Sequence, residues 1–234
     1  MLLFLRQKAT GGRFSGKYLA LIAGLACIPL LYVYAAIPGF ERVFQQAHAR
    51  YGAPAVLALN QWREMMVRAQ GLPEREKMTR VNDFFNRRIQ FHEDVDIWSR
   101  ADYWATPLET LGRGEGDCED FAIAKYITLK TLGVPIEKLR MTYVRAQIGG
   151  SSVSQAHMVL SYYPSPNEEP WILDNLIDEI RPASRRGDLY PVFSFNSAGL
   201  WVGSGAAEKA SGSSTARLSR WRDLLARMQA EGFE

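Results

Sequence analysis

The chain has 234 residues, 47% of them hydrophobic and 23% charged, with a formal net charge of +3. This composition excludes a disordered or fibrous chain and supplies apolar mass for one sizeable core. The basic excess belongs to the leader: Arg6, Lys8, Arg13 and Lys17 precede residue 38, and removing those four from the 28 basic residues leaves 24 against 25 acidic ones.

In chain order, the first segment, residues 1–38, carries those four basic residues and no acidic one, followed by an apolar run from Tyr18 to Ile37. It reads as an export signal or a membrane anchor. The length suits one membrane crossing, whereas Ala35-Ala36 before Pro38-Gly39 could serve a signal peptidase. In both cases the basic flank stays in the cytoplasm and the rest is delivered across the membrane.

From Phe40 to about Gln90 the pattern is helical, in two or three segments. The last begins after Pro73, with Met78, Val81, Phe84, Phe85 and Ile89 at three- and four-residue spacing. Residues 91–117 read mostly as loop, with one short helix near Pro107 to Leu111 and the glycine-rich end Gly112-Arg113-Gly114-Glu115-Gly116. A helix over Glu119 to Leu132, apolar almost all round and stopped by Gly133 and Pro135, is expected to be buried. Strands follow at Leu139 to Gln147, Ala156 to Tyr163 and Trp171 to Asp174. Helices first and antiparallel strands after predict an α+β domain over residues 39–205. Beyond Pro191 the pattern weakens. Residues 206–234 read as a Gly, Ala and Ser linker and an amphipathic helix carrying Leu218, Trp221, Leu224, Leu225 and Met228. That helix either packs on the domain or binds a partner.

The only two cysteines are Cys27, inside the apolar run, and Cys118. The exported part therefore cannot close an internal disulfide, and Cys118 is either a buried apolar residue or one kept for its chemistry. Its place at a loop-to-helix junction favours an anion there and puts its own amide where an oxyanion could be held. Glycines just before it would let a substrate backbone come close. Of the histidines, His48 and His92 lie in polar surroundings and read as surface residues. His157 occupies the strand Ala156-His157-Met158-Val159-Leu160, and Asp174 ends the next strand, where antiparallel pairing would set it beside His157.

Three stretches carry a resemblance: Tyr103-Trp104-Ala105-Thr106-Pro107-Leu108-Glu109; Gly114-Glu115-Gly116-Asp117-Cys118-Glu119-Asp120-Phe121; and Ala156 to Leu160 with Leu173-Asp174-Asn175. With Cys, His and Asp in that order, the sequence resembles the bacterial transglutaminase-like cysteine proteinases, the LapG type among them, over about residues 40–205. The resemblance implies a papain-like or transglutaminase-like core and a Cys118-His157-Asp174 triad. It also implies a periplasmic endopeptidase that cuts the N-terminal region of a large repeat adhesin near an Ala-Ala pair, dispersing a biofilm. It further implies an inner-membrane receptor for cyclic di-GMP that sequesters the protease, and dependence on calcium, with Asp117, Glu119 and Asp120 as ligands.

Clustered carboxylates suit a hard cation, and equally suit a helix N-terminus as plain dipole-favoured charges. Acidic neighbours oppose ionisation of Cys118, which a bound calcium would offset. Trp104 lines the site or helps the oxyanion, or else anchors the core. Two other readings stay open: a transglutaminase passing the acyl group to an amine, and a binding module that keeps the fold without the chemistry. Arg87-Arg88 and Arg185-Arg186 come in pairs rather than in a dense stripe, so they read as solvated faces and no nucleic-acid partner is expected. Membrane contact is expected through the N-terminal segment alone, and no zinc site is expected, since paired short-spacing ligands are lacking.

Overall fold

A computed structural model of the chain describes residues 40–147, 149, 153–202 and 219–233. The chain divides into two units, Met1–Pro38 and Gly39–Glu234. The leader and the Gly, Ala and Ser linker lie outside the described residues. Among the described residues no helix is long and apolar enough to cross a membrane.

Three helices open the described part, α1 (Phe40–Tyr51), α2 (Ala53–Ala69) and α3 (Glu74–Arg88). Each buries a stripe at helical spacing: Phe40, Val43 and Ala47 on α1, and Met78, Val81, Asn82 and Phe85 on α3. Gly52, with φ +76°, makes the break between α1 and α2, a conformation that L side chains resist. Strand β1 (Gln90–Phe91) pairs in parallel with β2 (Glu115–Gly116), and between them lie α4 (Asp94–Trp98) and α5 (Pro107–Arg113). The sequence reading placed a single short helix here. Helix α4 has only five residues, too few for a periodic pattern to show.

Helix α6 (Cys118–Thr131) runs through the middle, buried from Asp120 to Leu129, and packs on α3 and on the sheet. The sheet comprises β3 (Leu139–Gln147), β4 (Ser154–Tyr162), β5 (Trp171–Leu173), β6 (Arg181–Pro182), β7 (Leu189–Asn196) and β8 (Gly199–Val202). Its order is β6-β5-β4-β3-β7-β8, antiparallel throughout. The α+β architecture is thus as expected.

The sheet extends further than the sequence pattern showed. Strand β7 pairs with β3 and lies between it and the edge strand β8, although Pro191 and Ser194 blur its alternation; a register shift between Tyr143 and Val144 accommodates the proline.

Helix α7 (Ser219–Glu231) belongs to the same compact unit and buries Trp221, Leu224 and Met228, while Leu225 is exposed and Leu218 lies outside the described residues. Trp221 meets Tyr126 and Phe195 edge-on, both with ring centroids 5.8 Å apart. Such a fully buried indole is worth about 3–5 kcal/mol against alanine. Polar ties complete the docking: Arg227 donates to buried Glu109 and to the Trp104 carbonyl, and Arg50 bridges Glu109 and Glu231 at 2.8 and 2.6 Å.

Candidate active site

Cys118 is the first residue of α6, and Asp117 caps that helix. The cap is reciprocal: Asp117 accepts from the third-residue amide, and Asp120 reaches back to the Asp117 amide. Asp120 is fully buried, its other oxygen accepting from the Ala105 amide at 2.7 Å. The glycines before the cysteine serve this close packing. A Cβ on Gly116 would stand 2.9 Å from Asp120 Cβ, and one on Gly112 would stand 2.4 Å from the Tyr51 ring. The first neighbours of these two glycines are residues of the protein itself, whereas a Cβ on Gly114 would meet nothing within 4 Å.

His157 and Asp174 come together from adjacent strands. Strand β4 pairs with β5 so that Leu160 faces Leu173, and Asp174 follows immediately. Their side chains meet at 2.8 Å, His157 Nε2 to Asp174 Oδ1, and both are buried. Asp174 Oδ1 also accepts from the Leu176 amide at 3.1 Å, and Asp174 Oδ2 from Arg186 Nη2 at 2.7 Å. Burial alone would raise this carboxyl. The bonds from His157 and Leu176 and the charge of Arg186 outweigh it and bring the group down to about 2.

An ionised carboxylate can only accept, so Nε2 carries the imidazole proton and Nδ1 is left with a free lone pair. Cys118 and His157 line one cleft of about 600 Å³, with Trp104, Tyr143, Met158 and Phe193 among its walls. Trp104 lines the cleft and also stacks on core Phe195 at 5.6 Å. His48 and His92 are exposed.

The thiol itself donates to Glu119 Oε2 at 3.0 Å. Burial first, then the charge and hydrogen bond of Glu119 and the charge of Asp117, push the Cys118 thiol far above its ordinary value. The acidic cluster around it is larger than the sequence indicated. Asp94, Asp117 and Asp120 can each bring an oxygen within 4.8 Å of the others, as can Asp94, Asp102 and Glu119. Asp117 Oδ1 and Asp94 Oδ1 are buried without a hydrogen-bond partner. Burial and the charges of Glu119 and Asp120 push Asp117 up to about 10, and burial raises Asp94 to about 6 despite the bond from the Tyr103 amide. The carboxylate oxygens of this set, two of them buried and unpartnered among the described residues, fit a hard cation such as calcium.

Asp94, Asp102 and Arg186 escaped the sequence reading. Asp94 stood in the charged run His92-Glu93-Asp94-Val95-Asp96 with nothing to single it out, yet it is buried while Asp96 is exposed. Arg186 was assigned to a solvated face as half of a pair. Arg185 is exposed, but Arg186 is buried against Asp174, and no signal in the dipeptide distinguishes them.

Comparison with known proteins agrees with this geometry. The family described as bacterial transglutaminase-like cysteine proteinase matches residues 59–203, more than half of the chain. Legionella pneumophila LapG is similar in structure, with 38% identity and a TM-score of 0.68 over 82% of this chain and 99% of that one. Its EGTA-treated form gives 37% identity and a TM-score of 0.71 over 82% and 99% of the two chains. The calcium-bound form gives 39% and 0.67 over 80% and 98%. No curated protein is significantly similar to the chain.

Proposed function

Because the chain belongs to the bacterial transglutaminase-like cysteine proteinases, we propose that it is a calcium-dependent endopeptidase working through Cys118, His157 and Asp174. The observation that carries this reading is the 2.8 Å His157–Asp174 bond beside a cleft that Cys118 also lines. His157 Nδ1 takes the thiol proton, and the Cys118 sulfur attacks a peptide carbonyl. The protonated ring then gives its proton to the leaving amine, and water hydrolyses the thioester to free the enzyme. Asp174 holds the ring in the tautomer these steps need. The Cys118 amide, in the first turn of α6, would donate to the oxyanion.

Asp94, Asp117, Glu119 and Asp120 would hold calcium, whose charge offsets the carboxylates that keep the neighbouring thiol protonated. The calcium-bound and EGTA-treated forms of the similar LapG support this assignment. We further assign the protein to the periplasm, from the basic flank and apolar run of residues 1–38. Its substrate is the N-terminal region of a large repeat adhesin, cut near an Ala-Ala pair to release the adhesin and disperse a biofilm. An inner-membrane receptor for cyclic di-GMP sequesters the protease.

The test is mass spectrometry of an adhesin N-terminal fragment incubated with the protein, with and without EGTA, beside Cys118→Ala. One new cut that needs both calcium and Cys118 is expected. A labelled primary amine in the same reaction separates hydrolysis from acyl transfer, and a cut by Cys118→Ala would overturn the reading.

A further inference from the structure

Asp174 has more than one charged neighbour, and they differ in what they can do. His157 reaches it from β4, Arg186 from the segment after the short turn Ala183–Arg185, and Lys125 acts on it from α6. Beyond these, Asp188 is bonded to Arg186 and the charge of Asp178 acts on Lys125, while Asn86 on α3 donates to the Asp174 backbone carbonyl at 2.8 Å. Lys125 is fully buried and its amine is pulled down to about 7, so its charge is not assured in the neutral range. A guanidinium stays charged throughout.

The geometry around Arg186 is that of a clasp. Its Nε and Nη2 donate to the two oxygens of Asp188 at 3.0 and 2.7 Å, which fixes the plane of the guanidinium. The same Nη2 donates to Asp174 Oδ2 at 2.7 Å, with both side chains almost wholly buried. With Oδ2 thus taken, Oδ1 is the oxygen that faces His157 Nε2. The arrangement leaves Arg186 Nη1 buried without a partner, a cost that packing alone would not require.

We infer that Arg186, clamped by Asp188, is a positioning residue that keeps Asp174 ionised and aims its Oδ1 at His157. The catalytic consequence rests on the proposed peptidase reading; the geometry at His157 does not. Arg186 touches neither substrate nor thiol and acts through Asp174. Removing it leaves the carboxyl buried without the guanidinium bonded to its Oδ2, so Asp174 takes up a proton at higher pH and the bond to His157 weakens.

The experiment compares wild type with Arg186→Met, Arg186→Lys and Asp188→Asn in calcium, after thermal melts establish that each is folded. The downfield proton resonance of His157 Nε2–H is followed against pH, together with kcat and KM on a fluorogenic peptide spanning an Ala-Ala pair. Arg186→Met should lose the resonance, and show the acid limb of kcat/KM, about one pH unit higher than wild type. Its kcat should fall about 10- to 100-fold, as for outer-shell supports of catalytic groups, with KM within about twofold. Arg186→Lys should recover part of both shifts.

A folded Arg186→Met with the wild-type resonance and acid limb overturns the inference. If Arg186→Met does not fold, Asp188→Asn decides by the same readouts, with a smaller upward shift expected and no shift overturning. If wild type cleaves nothing, the peptidase reading fails while the resonance still decides the role of Arg186.

Discussion

The Cys118 thiol donates to the carboxylate of the next residue, Glu119 Oε2, at 3.0 Å. A cysteine at a helix N-terminus ordinarily has a lowered pKa, because the helix end favours its anion. Here burial and two adjacent carboxylates outweigh that effect, and the neutral thiol is the favoured form. The nucleophile and the acidic cluster are therefore one electrostatic unit.

The first prediction tests that unit. In EGTA at pH 7, Cys118 should react with iodoacetamide more slowly than a free cysteine, and calcium should raise the rate at least about tenfold. Glu119→Gln in EGTA should also react faster than wild type, because it removes both the charge and the acceptor. Equal rates with and without calcium would show that the carboxylates do not control the thiol.

The second concerns Asp94, which has a buried unpartnered oxygen within reach of Asp117 and Asp120. Asp94→Asn should weaken calcium binding, measured by titration calorimetry, about 10- to 100-fold. Asp96→Asn, two residues on and exposed, should leave it unchanged. Equal affinities in the two variants would remove Asp94 from the site.

The contrast between Asp94 and Asp96 shows where sequence reasoning stops. Local chemistry was legible: the loop-to-helix junction at Cys118, the helix that follows it, and the two neighbouring strands that carry His157 and Asp174 all follow from spacing and turn residues. What was missed depends on distant packing. Asp94 and Arg186 are distinguished from their neighbours only by burial against segments far away in the chain. Strand β7 was obscured by a proline that a register shift absorbs. The amphipathic pattern of α7 was clear, but its ties to Glu109 and the Trp104 carbonyl join residues more than a hundred positions apart.

The third prediction tests those ties. Glu109 is buried and accepts from Arg50, Arg227, Tyr103 and the Thr106 amide. Glu109→Gln keeps the shape and removes the charge that Arg50 and Arg227 share. It should cost about 2 kcal/mol, read from urea unfolding, because two partly buried guanidinium groups lose the buried carboxylate between them and keep one acidic partner each, Glu231 for Arg50 and Asp223 for Arg227. A loss under about 1 kcal/mol would mean that packing of Trp221 alone holds α7 in place.

The fourth links Asp174 to acid stability. Its folded-state carboxyl lies at about 2, below its ordinary 3.8, so the unfolded chain binds the proton more readily. The stabilisation is present above the unfolded value and is lost as pH falls through the folded one, over about pH 4 to 2. It amounts to about 2 kcal/mol. Asp174→Asn lacks this titration, so wild type should exceed it in urea stability at pH 6 by a margin that shrinks by about that amount at pH 2. A margin constant across this range would mean that Asp174 has an ordinary carboxyl. The pull of Arg186 and His157 on it, and with it the clasp, would then have no energetic basis.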